Sequence, residues 1–263
     1  MQALNISLVQ GNTRWHDPAG NRGYYGDLMA PLRGHTDLIV LPETFTSGFS
    51  NEAIAQAETM EGATLAWLRE QAGELDAAIT GSVQLRAGDD VFNRLLFVTP
   101  DGAVRHYDKR HLFRYADEHK RYAPGRERLI VEWRGWKICP LVCYDLRFPV
   151  FSRNRHDPQR GFDYDLLLYV ANWPSPRAYA WSTLLRARAI ENLCYCAGVN
   201  RVGVDGNGHE YAGGSAVLDF LGTPLSEDSD QELVTTTTLL AAELQAYRER
   251  FPAWMDADAF TLG

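Results

Sequence analysis

Short apolar runs, separated by polar or glycine- and proline-rich stretches, recur along the whole chain. Runs with the alternation or continuity of strands cover residues 3–10, 37–41, 78–85, 92–99, 103–107, 128–133, 136–142, 164–170, 193–199, 215–220 and 232–240. Helical spacing predicts helices over 61–75, 147–155, 179–192 and 242–250, and a further helix ending near Gly34. Because strands alternate with helices in places and pair as hairpins elsewhere, the pattern predicts a mixed α/β fold with helices on the outer faces.

Turn signals organise the stretches between these elements. Pro100-Asp101-Gly102 predicts a tight hairpin, since proline fixes φ and glycine accepts a positive φ, and Leu221-Gly222-Thr223-Pro224 predicts another. The stretch from Gly203 to Gly214 is interpreted as a glycine-rich loop. The sequence contains no repeat and no linker, so we expect one domain over residues 1–263, with an apolar C-terminal tail from about residue 251.

Composition narrows the class of protein. The 263 residues are 45% hydrophobic, which suffices for one sizeable core. The net charge is −8 and no run of Lys or Arg occurs, so nucleic acid is not expected as a partner. No apolar stretch approaches the roughly 18–20 residues that span a membrane, and the N-terminus does not resemble a signal peptide. We therefore expect a cytoplasmic protein that does not bind membranes.

The cysteine pattern argues against a metal site. Cys139, Cys143, Cys194 and Cys196 form no Cys-x-x-Cys pair, and no Cys/His spacing resembles a zinc site. Cys194 and Cys196 fall on one face of a predicted strand, where core packing is expected. The prediction is a protein with reduced thiols, no structural metal and no cofactor.

Three residues at strand or hairpin ends have the chemistry of amide hydrolysis. Cys143 ends an apolar run at a strand-to-helix corner, where a helix N-terminus favours a thiolate, although a buried apolar role is an equal alternative. Glu43 follows the run 37–41, and Lys109 follows the first hairpin. A carboxylate, a thiol and an ammonium supply a base, a nucleophile and an oxyanion partner. Spacing alone leaves open whether the three meet.

The sequence around each of these residues carries a resemblance to a known family. Leu41–Phe45 (LPETF), Tyr107–Phe113 (YDKRHLF) and Val142–Pro149 (VCYDLRFP) are similar to the three signature motifs of the nitrilase (carbon–nitrogen hydrolase) superfamily, and Leu185–Asn192 (LRARAIEN) matches another family stretch. The likeness runs from about residue 3 to 250 and is closest to the omega-amidase branch. It implies a four-layer α-β-β-α sandwich, usually paired through its helices into a homodimer.

The resemblance also implies roles for the site residues. Cys143 would be the nucleophile and Glu43 the general base, while Lys109 and the backbone N–H of Tyr144 would hold the oxyanion. Some members of the superfamily add a second glutamate in the loop after the lysine, and Glu118 fits that position best. The alternative for Glu118 is a solvated charge on a loop.

The omega-amidase likeness implies a substrate class as well. The expected substrate is a small primary amide with ammonia as leaving group, of the kind of 2-oxoglutaramate or 2-oxosuccinamate, cleaved through a thioester. Arg147, one turn beyond Cys143, is placed to bind the distal carboxylate, unless it pairs with Asp145 instead. Phe45 and Trp173 are candidates for the pocket wall, and core packing is the alternative for both.

Other functions remain open at this point. An N-carbamoyl-amino-acid or β-ureido hydrolase and a true nitrilase belong to the same superfamily. A catalytically silent binding protein is the alternative from another class, against which the intact Glu43, Lys109 and Cys143 argue. His111 and His119 raise the thought of a Cys–His protease, but the sequence around Cys143 gives that reading no support.

Overall fold

The computed structural model describes residues 2–261 and has the mixed α/β architecture that the pattern predicts. Its strands are β1 (Leu4–Gln10), β2 (Leu38–Val40), β3 (Ala78–Ala87), β4 (Asp90–Val98), β5 (Val104–Asp108), β6 (Val131–Trp133), β7 (Trp136–Val142), β8 (His156–Asp157), β9 (Gly161–Phe162), β10 (Leu166–Ala171), β11 (Tyr195–Asn200), β12 (Val202–Val204), β13 (Glu210–Ala212), β14 (Ala216–Leu218) and β15 (Leu233–Leu239). Its α-helices are α1 (Pro18–Met29), α2 (Ala63–Leu75), α3 (Pro149–Ser152), α4 (Ala178–Asn192) and α5 (Ala241–Arg250). Short 3₁₀ turns lie at Ala30–Leu32, Glu52–Gln56, Arg114–Ala116, Glu118–Lys120, Cys143–Arg147, Ser175–Arg177 and Ala253–Asp256.

Two mixed sheets form the centre of the molecule. The first has the strand order β15-β1-β2-β3-β4-β5, in which β1, β2 and β3 run parallel and the outer pairs run antiparallel. The second has the order β14-β11-β10-β7-β6, with β7, β10 and β11 parallel. Parallel strands that are buried on both faces explain the continuous apolar runs at Leu38–Val40 and Leu166–Ala171.

The alternation of side chains along the strands separates two hydrophobic cores. In β2, Leu38 and Val40 belong to the core that lies between the sheets and extends to α4 and α5, whereas Ile39 faces α1 and α2. Cys139, Cys194 and Cys196 pack in the core between the sheets and its extension, so the expectation for the paired cysteines is confirmed. The layers are therefore helix, sheet, sheet and helix, which is the α-β-β-α sandwich.

Two predicted elements differ from the structure. The helix expected over 147–155 is a 3₁₀ turn over Cys143–Arg147 followed by the short α3, since Pro149 lacks an N–H and fits a helix start. The stretch 203–214, interpreted as a loop, contains the hairpin of β12 and β13. The 92–99/103–107 hairpin is confirmed as the pair β4–β5.

The C-terminal segment packs back on the molecule. The Trp254 ring lies 3.8 Å from the ring of His156 and also contacts Phe162. Across the described residues 2–261, no helix has both the length and the apolar character that crossing a membrane requires.

Candidate active site

The predicted residues meet at the seam between the two sheets. Glu43 lies just beyond β2 and Lys109 directly follows β5, both in the first sheet, whereas Cys143 directly follows β7 in the second. The carboxyl ends of β2 and β7 point to the same end of the sandwich, as sites at the ends of parallel strands require. Asn172 follows the neighbouring strand β10 and joins them there.

Cys143 occupies a sharp corner between strand and 3₁₀ turn. Its φ is +44°, in the left-handed region that side chains other than glycine rarely adopt. The side chain is 9% exposed and its Sγ lies 3.8 Å from the carbonyl oxygen of Asn172. The next residue, Tyr144, lies in the first 3₁₀ turn, where backbone N–H groups have no acceptor within the helix. The corner thus presents a thiol beside backbone donors.

The carboxylate of Glu43 is fully buried and held by three donors. Oε1 accepts from Nδ2 of Asn93 and from Nζ of Lys109, each at 2.8 Å, and Oε2 accepts from the backbone N–H of Asn172 at 2.8 Å. Nδ2 of Asn172 donates to the backbone oxygen of Glu43 at 2.6 Å. Because Asn172 belongs to the second sheet and Glu43 to the first, these bonds tie the sheets together at the site.

Lys109 bridges two buried carboxylates. Its Nζ lies 2.8 Å from Oε1 of Glu43 and 3.1 Å from Oε1 of Glu118. Glu118 also accepts from Nδ2 of Asn93 and from the backbone N–H of Phe113. Lys109 is 1% exposed and both glutamates are 0% exposed. The alternative of a solvated loop charge for Glu118 is therefore wrong, and the residue instead holds Lys109 in place.

The pKa shifts follow from this burial and charge pattern. Burial raises the pKa of the Cys143 thiol well above its usual range, and the charge of Glu43 raises it further, against the smaller opposing effect of Lys109. Burial raises the pKa of Glu118, while Lys109 counteracts it. Burial alone would lower the pKa of Lys109, but Glu118 and Glu43 outweigh that effect and raise it. Both the burial of Cys143 and the charge of Glu43 thus favour the neutral form of the thiol.

Asp145 joins the corner that carries Cys143 to the loop that carries Lys109 and His111. Its Oδ2 accepts from the hydroxyl of Tyr107 at 2.7 Å and from the backbone N–H of Val142 at 3.0 Å. Its Oδ1 accepts from the backbone N–H of His111 at 3.0 Å and lies 2.7 Å from Nδ1 of the same residue. With these partners Asp145 is saturated, so the expected alternative of an Arg147–Asp145 pair does not form.

A cavity of about 590 Å³ opens above Cys143. Glu43, Lys109, Tyr144, Arg147 and Trp173 all line it. The guanidinium of Arg147 lies over the Trp173 ring, 4.9 Å from its centroid. Glu118, His111 and His119, by contrast, do not line this cavity.

Phe45 does not reach the cavity, which corrects its expected place in the pocket wall. Thr44 has a φ of +43°, and this turn sends Phe45 to the opposite face of the first sheet. There it is fully buried with Tyr25 and Trp67, next to Gly81, where a Cβ would lie only 3.0 Å from its ring. Its alternative role, core packing, is the one that the structure shows.

Several residues of the site were not predicted from the sequence. Asn93 and Asn172 hold Glu43, and Asn200 holds the Trp173 segment by accepting from its N–H at 2.8 Å and donating to its carbonyl at 3.0 Å. Asn172 and Asn200 each stand at the end of an apolar run, the same signal that singled out Glu43. Asn93 interrupts an apolar strand, which marks it as a buried polar residue with partners to find.

A thiol, a carboxylate and a buried ammonium lie together at one cavity, the three groups that the sequence predicts for an amide hydrolase, and the exposed His209 lines the same cavity. Comparison with known proteins defines the class. Residues 5–249 match the model of the carbon–nitrogen hydrolase family, and the chain belongs to that family, within the nitrilase superfamily.

Individual relatives cover the whole chain. It is 50% identical to omega-amidase YafV of Yersinia enterocolitica, with 100% of both chains covered, and 34% identical to 2-oxoglutaramate amidase of Bacillus subtilis (strain 168), with 95% of this chain and 96% of that one covered. The crystal structure of XC1258 from Xanthomonas campestris, a CN-hydrolase superfamily protein with an arsenic adduct in its active site, matches with a TM-score of 0.99, 68% identity and full coverage of both chains. The chain is thus a carbon–nitrogen hydrolase with the superfamily's fold.

Proposed function

We propose that this enzyme is an omega-amidase that hydrolyses the terminal amide of short 2-oxo dicarboxylic acid monoamides, such as 2-oxoglutaramate and 2-oxosuccinamate, to the carboxylate and ammonia. The observation that carries the proposal is the placement of the Cys143 thiol beside the Glu43–Lys109–Glu118 cluster, at the floor of a cavity that also contains Arg147. Omega-amidase and 2-oxoglutaramate amidase relatives, which cover nearly the entire chain, support both the amide and the substrate class.

Acylation begins with proton transfer. Because burial and the charge of Glu43 keep the Cys143 thiol protonated, Glu43 acts as the general base while Sγ attacks the amide carbonyl. Glu43 then returns the proton to the leaving nitrogen, the C–N bond breaks, and ammonia departs. The acyl group remains on Sγ as a thioester.

The oxyanion of the tetrahedral intermediate needs fixed donors. Lys109 and Tyr144 line the cavity together with Cys143, and we assign this role to Lys109 Nζ and to the backbone N–H of Tyr144. Glu118 does not line the cavity, and we assign it the positioning of Lys109, whose ammonium it holds together with Glu43. A fixed ammonium stabilises developing charge without reorganising at the moment of reaction.

Deacylation repeats the same roles with water. Once ammonia has left, Glu43 takes a proton from a water molecule that attacks the thioester carbonyl. The intermediate collapses, the thiolate leaves and takes a proton, and the carboxylate product is released. The reaction consumes one water per amide and needs no redox partner.

The distal end of the substrate carries a carboxylate. Arg147 lines the cavity in which Cys143 lies, and its guanidinium is fixed over the face of Trp173. A planar guanidinium binds a carboxylate through two parallel hydrogen bonds. Arg147 and Trp173 therefore form the recognition end of the pocket in this proposal.

The test is ammonia release from 2-oxoglutaramate by the wild type, Cys143→Ala and Glu43→Gln. We expect turnover by the wild type only, with native thermal unfolding for Cys143→Ala as proof of an intact fold. A near-native kcat in Glu43→Gln would contradict the role of Glu43 as general base. Hydrolysis of N-carbamoyl amino acids or nitriles in preference to the amide would instead indicate one of the other activities of the superfamily.

Three broader expectations accompany the proposal. We propose that residues 1–263 work as one carbon–nitrogen hydrolase domain, which the family match over residues 5–249 supports. The homodimer stays a prediction to be checked by light scattering, and the cytoplasmic location stays a prediction as well.

A further inference from the structure

A second arginine, Arg177, lines the cavity together with Arg147. The Cζ of Arg177 lies 5.5 Å from the centroid of the Phe113 ring and 5.9 Å from that of Tyr115, and both of these aromatic residues line the cavity with it. Arg177 is half-buried, so its head group is fixed on these rings and also accessible to a ligand.

The backbone at Arg177 is rigid. Pro174 and Pro176 fix φ on its N-terminal side, and the N–H of Arg177 donates to the carbonyl of Pro174 at 2.9 Å. Its own carbonyl accepts from Nε1 of Trp173 at 2.9 Å. The indole that carries Arg147 on its face is therefore anchored at its nitrogen to Arg177, and the two arginines belong to one preorganised unit.

The charges of Arg147 and Arg177 have no ion-pair partner among the described residues. Within residues 2–261, no carboxylate lies within ion-pair distance of Arg147 or Arg177, although the chain has 34 acidic residues. Three carboxylates do line the same cavity. That of Glu43 is paired with Lys109. Asp205 accepts from the hydroxyl of Tyr211 and from two backbone N–H groups, and Glu210 is exposed. Two unpaired guanidiniums facing one cavity leave donors for an anionic ligand.

We propose that Arg177 is a specificity-determining residue that acts together with Arg147 on the 2-oxo acid end of the substrate. This inference rests on the proposed omega-amidase function. A simple carboxylate offers two oxygens, which one guanidinium fork satisfies, whereas a 2-oxo carboxylate offers a third oxygen in the same plane. The second guanidinium supplies donors for that additional oxygen.

The pair of cations also sets what the site rejects. A 2-amino acid amide has an ammonium where the 2-oxo acid has its carbonyl oxygen, and like charges brought close together in a partly desolvated pocket repel. Arg177 thus favours the 2-oxo acid over the 2-amino acid of the same length.

The experiment measures kcat/KM for three amides of equal chain length with wild type and Arg177→Gln. The amides are 2-oxoglutaramate, glutaramate, which lacks the 2-oxo group, and pentanamide, which lacks the carboxylate as well. We expect Arg177→Gln to lose about 10- to 100-fold on 2-oxoglutaramate, the range of hydrogen bonds made by a charged donor. The loss should be smaller on glutaramate and near zero on pentanamide.

Control variants separate this role from general effects. Arg114→Gln removes the same charge from the loop that carries Phe113 and Tyr115, but Arg114 does not line the cavity, so its profile should match the wild type. Arg177→Lys keeps the charge without the planar fork and should recover only part of the loss.

Each result decides a distinct question. An equal loss on all three amides would show that Arg177 is structural, and an unchanged value on 2-oxoglutaramate would also overturn the inference. If the wild type itself does not prefer 2-oxoglutaramate to pentanamide, the proposed substrate class fails and this role fails with it.

Discussion

Replacing Asp145 by asparagine tests how the corner that carries Cys143 is tied to the loop that follows Lys109. The carboxylate is fully buried, and each of its two oxygens has two hydrogen-bond partners. One oxygen accepts from the Tyr107 hydroxyl and the Val142 backbone N–H, and the other contacts the backbone N–H and Nδ1 of His111. An amide has the same shape but only one oxygen. In either orientation its NH₂ group faces a backbone N–H, that of Val142 or that of His111.

The expected loss of stability follows from these contacts. A buried donor left without an acceptor costs about 1–3 kcal/mol, and hydrogen bonds to a charged acceptor are worth about 1.5–3 kcal/mol rather than about 1. Because Asp145→Asn orphans one backbone N–H and weakens the remaining bonds, we expect the free energy of unfolding to fall by about 3 kcal/mol. We also expect kcat to fall by about 10- to 100-fold, since Lys109 and Cys143 then lose their common anchor.

Urea denaturation and steady-state ammonia release measure the two effects on the same preparations. Asp219→Asn is the matched control, because Asp219 also accepts from two backbone N–H groups, those of Leu221 and Thr223, but in an exposed hairpin turn. A change in unfolding free energy within about 0.5 kcal/mol for Asp145→Asn, as for ordinary surface substitutions, would refute this account of the anchor. A stability loss with unchanged kcat would limit Asp145 to a structural role.

Three further predictions concern the buried charges and the packing. Lys109→Met leaves the carboxylates of Glu43 and Glu118 facing each other without a cation, so we expect the free energy of unfolding at neutral pH, measured by urea denaturation, to fall by about 3–5 kcal/mol. This loss should shrink as the pH falls, because the carboxyl groups take up protons. A loss that is independent of pH contradicts the reasoning. Because burial raises the pKa of Glu118, we expect the acid limb of the kcat/KM profile to lie above the usual range of a glutamate, and Glu118→Gln should move that limb to lower pH. A limb that does not move would assign it to another group. Gly198→Ala brings a Cβ within 2.7 Å of Leu185 Cδ1, so we expect the free energy of unfolding to fall by about 1–3 kcal/mol, seen as a lower Tm. An unchanged Tm would show that α4 moves away from the new methyl group without strain.

The elements of the fold were predictable where a local pattern decides them. Alternation and turn residues located the β4–β5 hairpin, and the strand-end positions of Glu43, Lys109 and Cys143 indicated the site. The hairpin of β12 and β13 was missed because each strand has only three residues, and its glycines are also typical of a loop. So short a strand has too few positions for a period to be recognised.

The missed contacts within the site depend on tertiary structure. Asn172 contacts Glu43 across 129 residues of sequence, and Asn93 contacts it across 50, so no local pattern encodes either pair. Phe45 was misplaced because one residue of positive φ, Thr44, turns the chain between it and Glu43. Neither proximity to a motif nor aromatic character reveals such a turn.

Glu43, the proposed base, and Cys143, the proposed nucleophile, stand on different sheets, and this has a consequence for anyone who engineers the enzyme. Their separation depends on the side chains that fill the space between the two sheets, such as Leu38 and Val40. It also depends on the bonds that tie the two sides together at the site, those from Asn172 to Glu43 and those that Asp145 accepts from Tyr107 and His111. The turnover rate therefore reports on the spacing between the two sheets. A larger residue between the sheets can raise the melting temperature and still abolish turnover. Substitutions in the outer core, against α1 and α2, leave the spacing between the sheets unchanged.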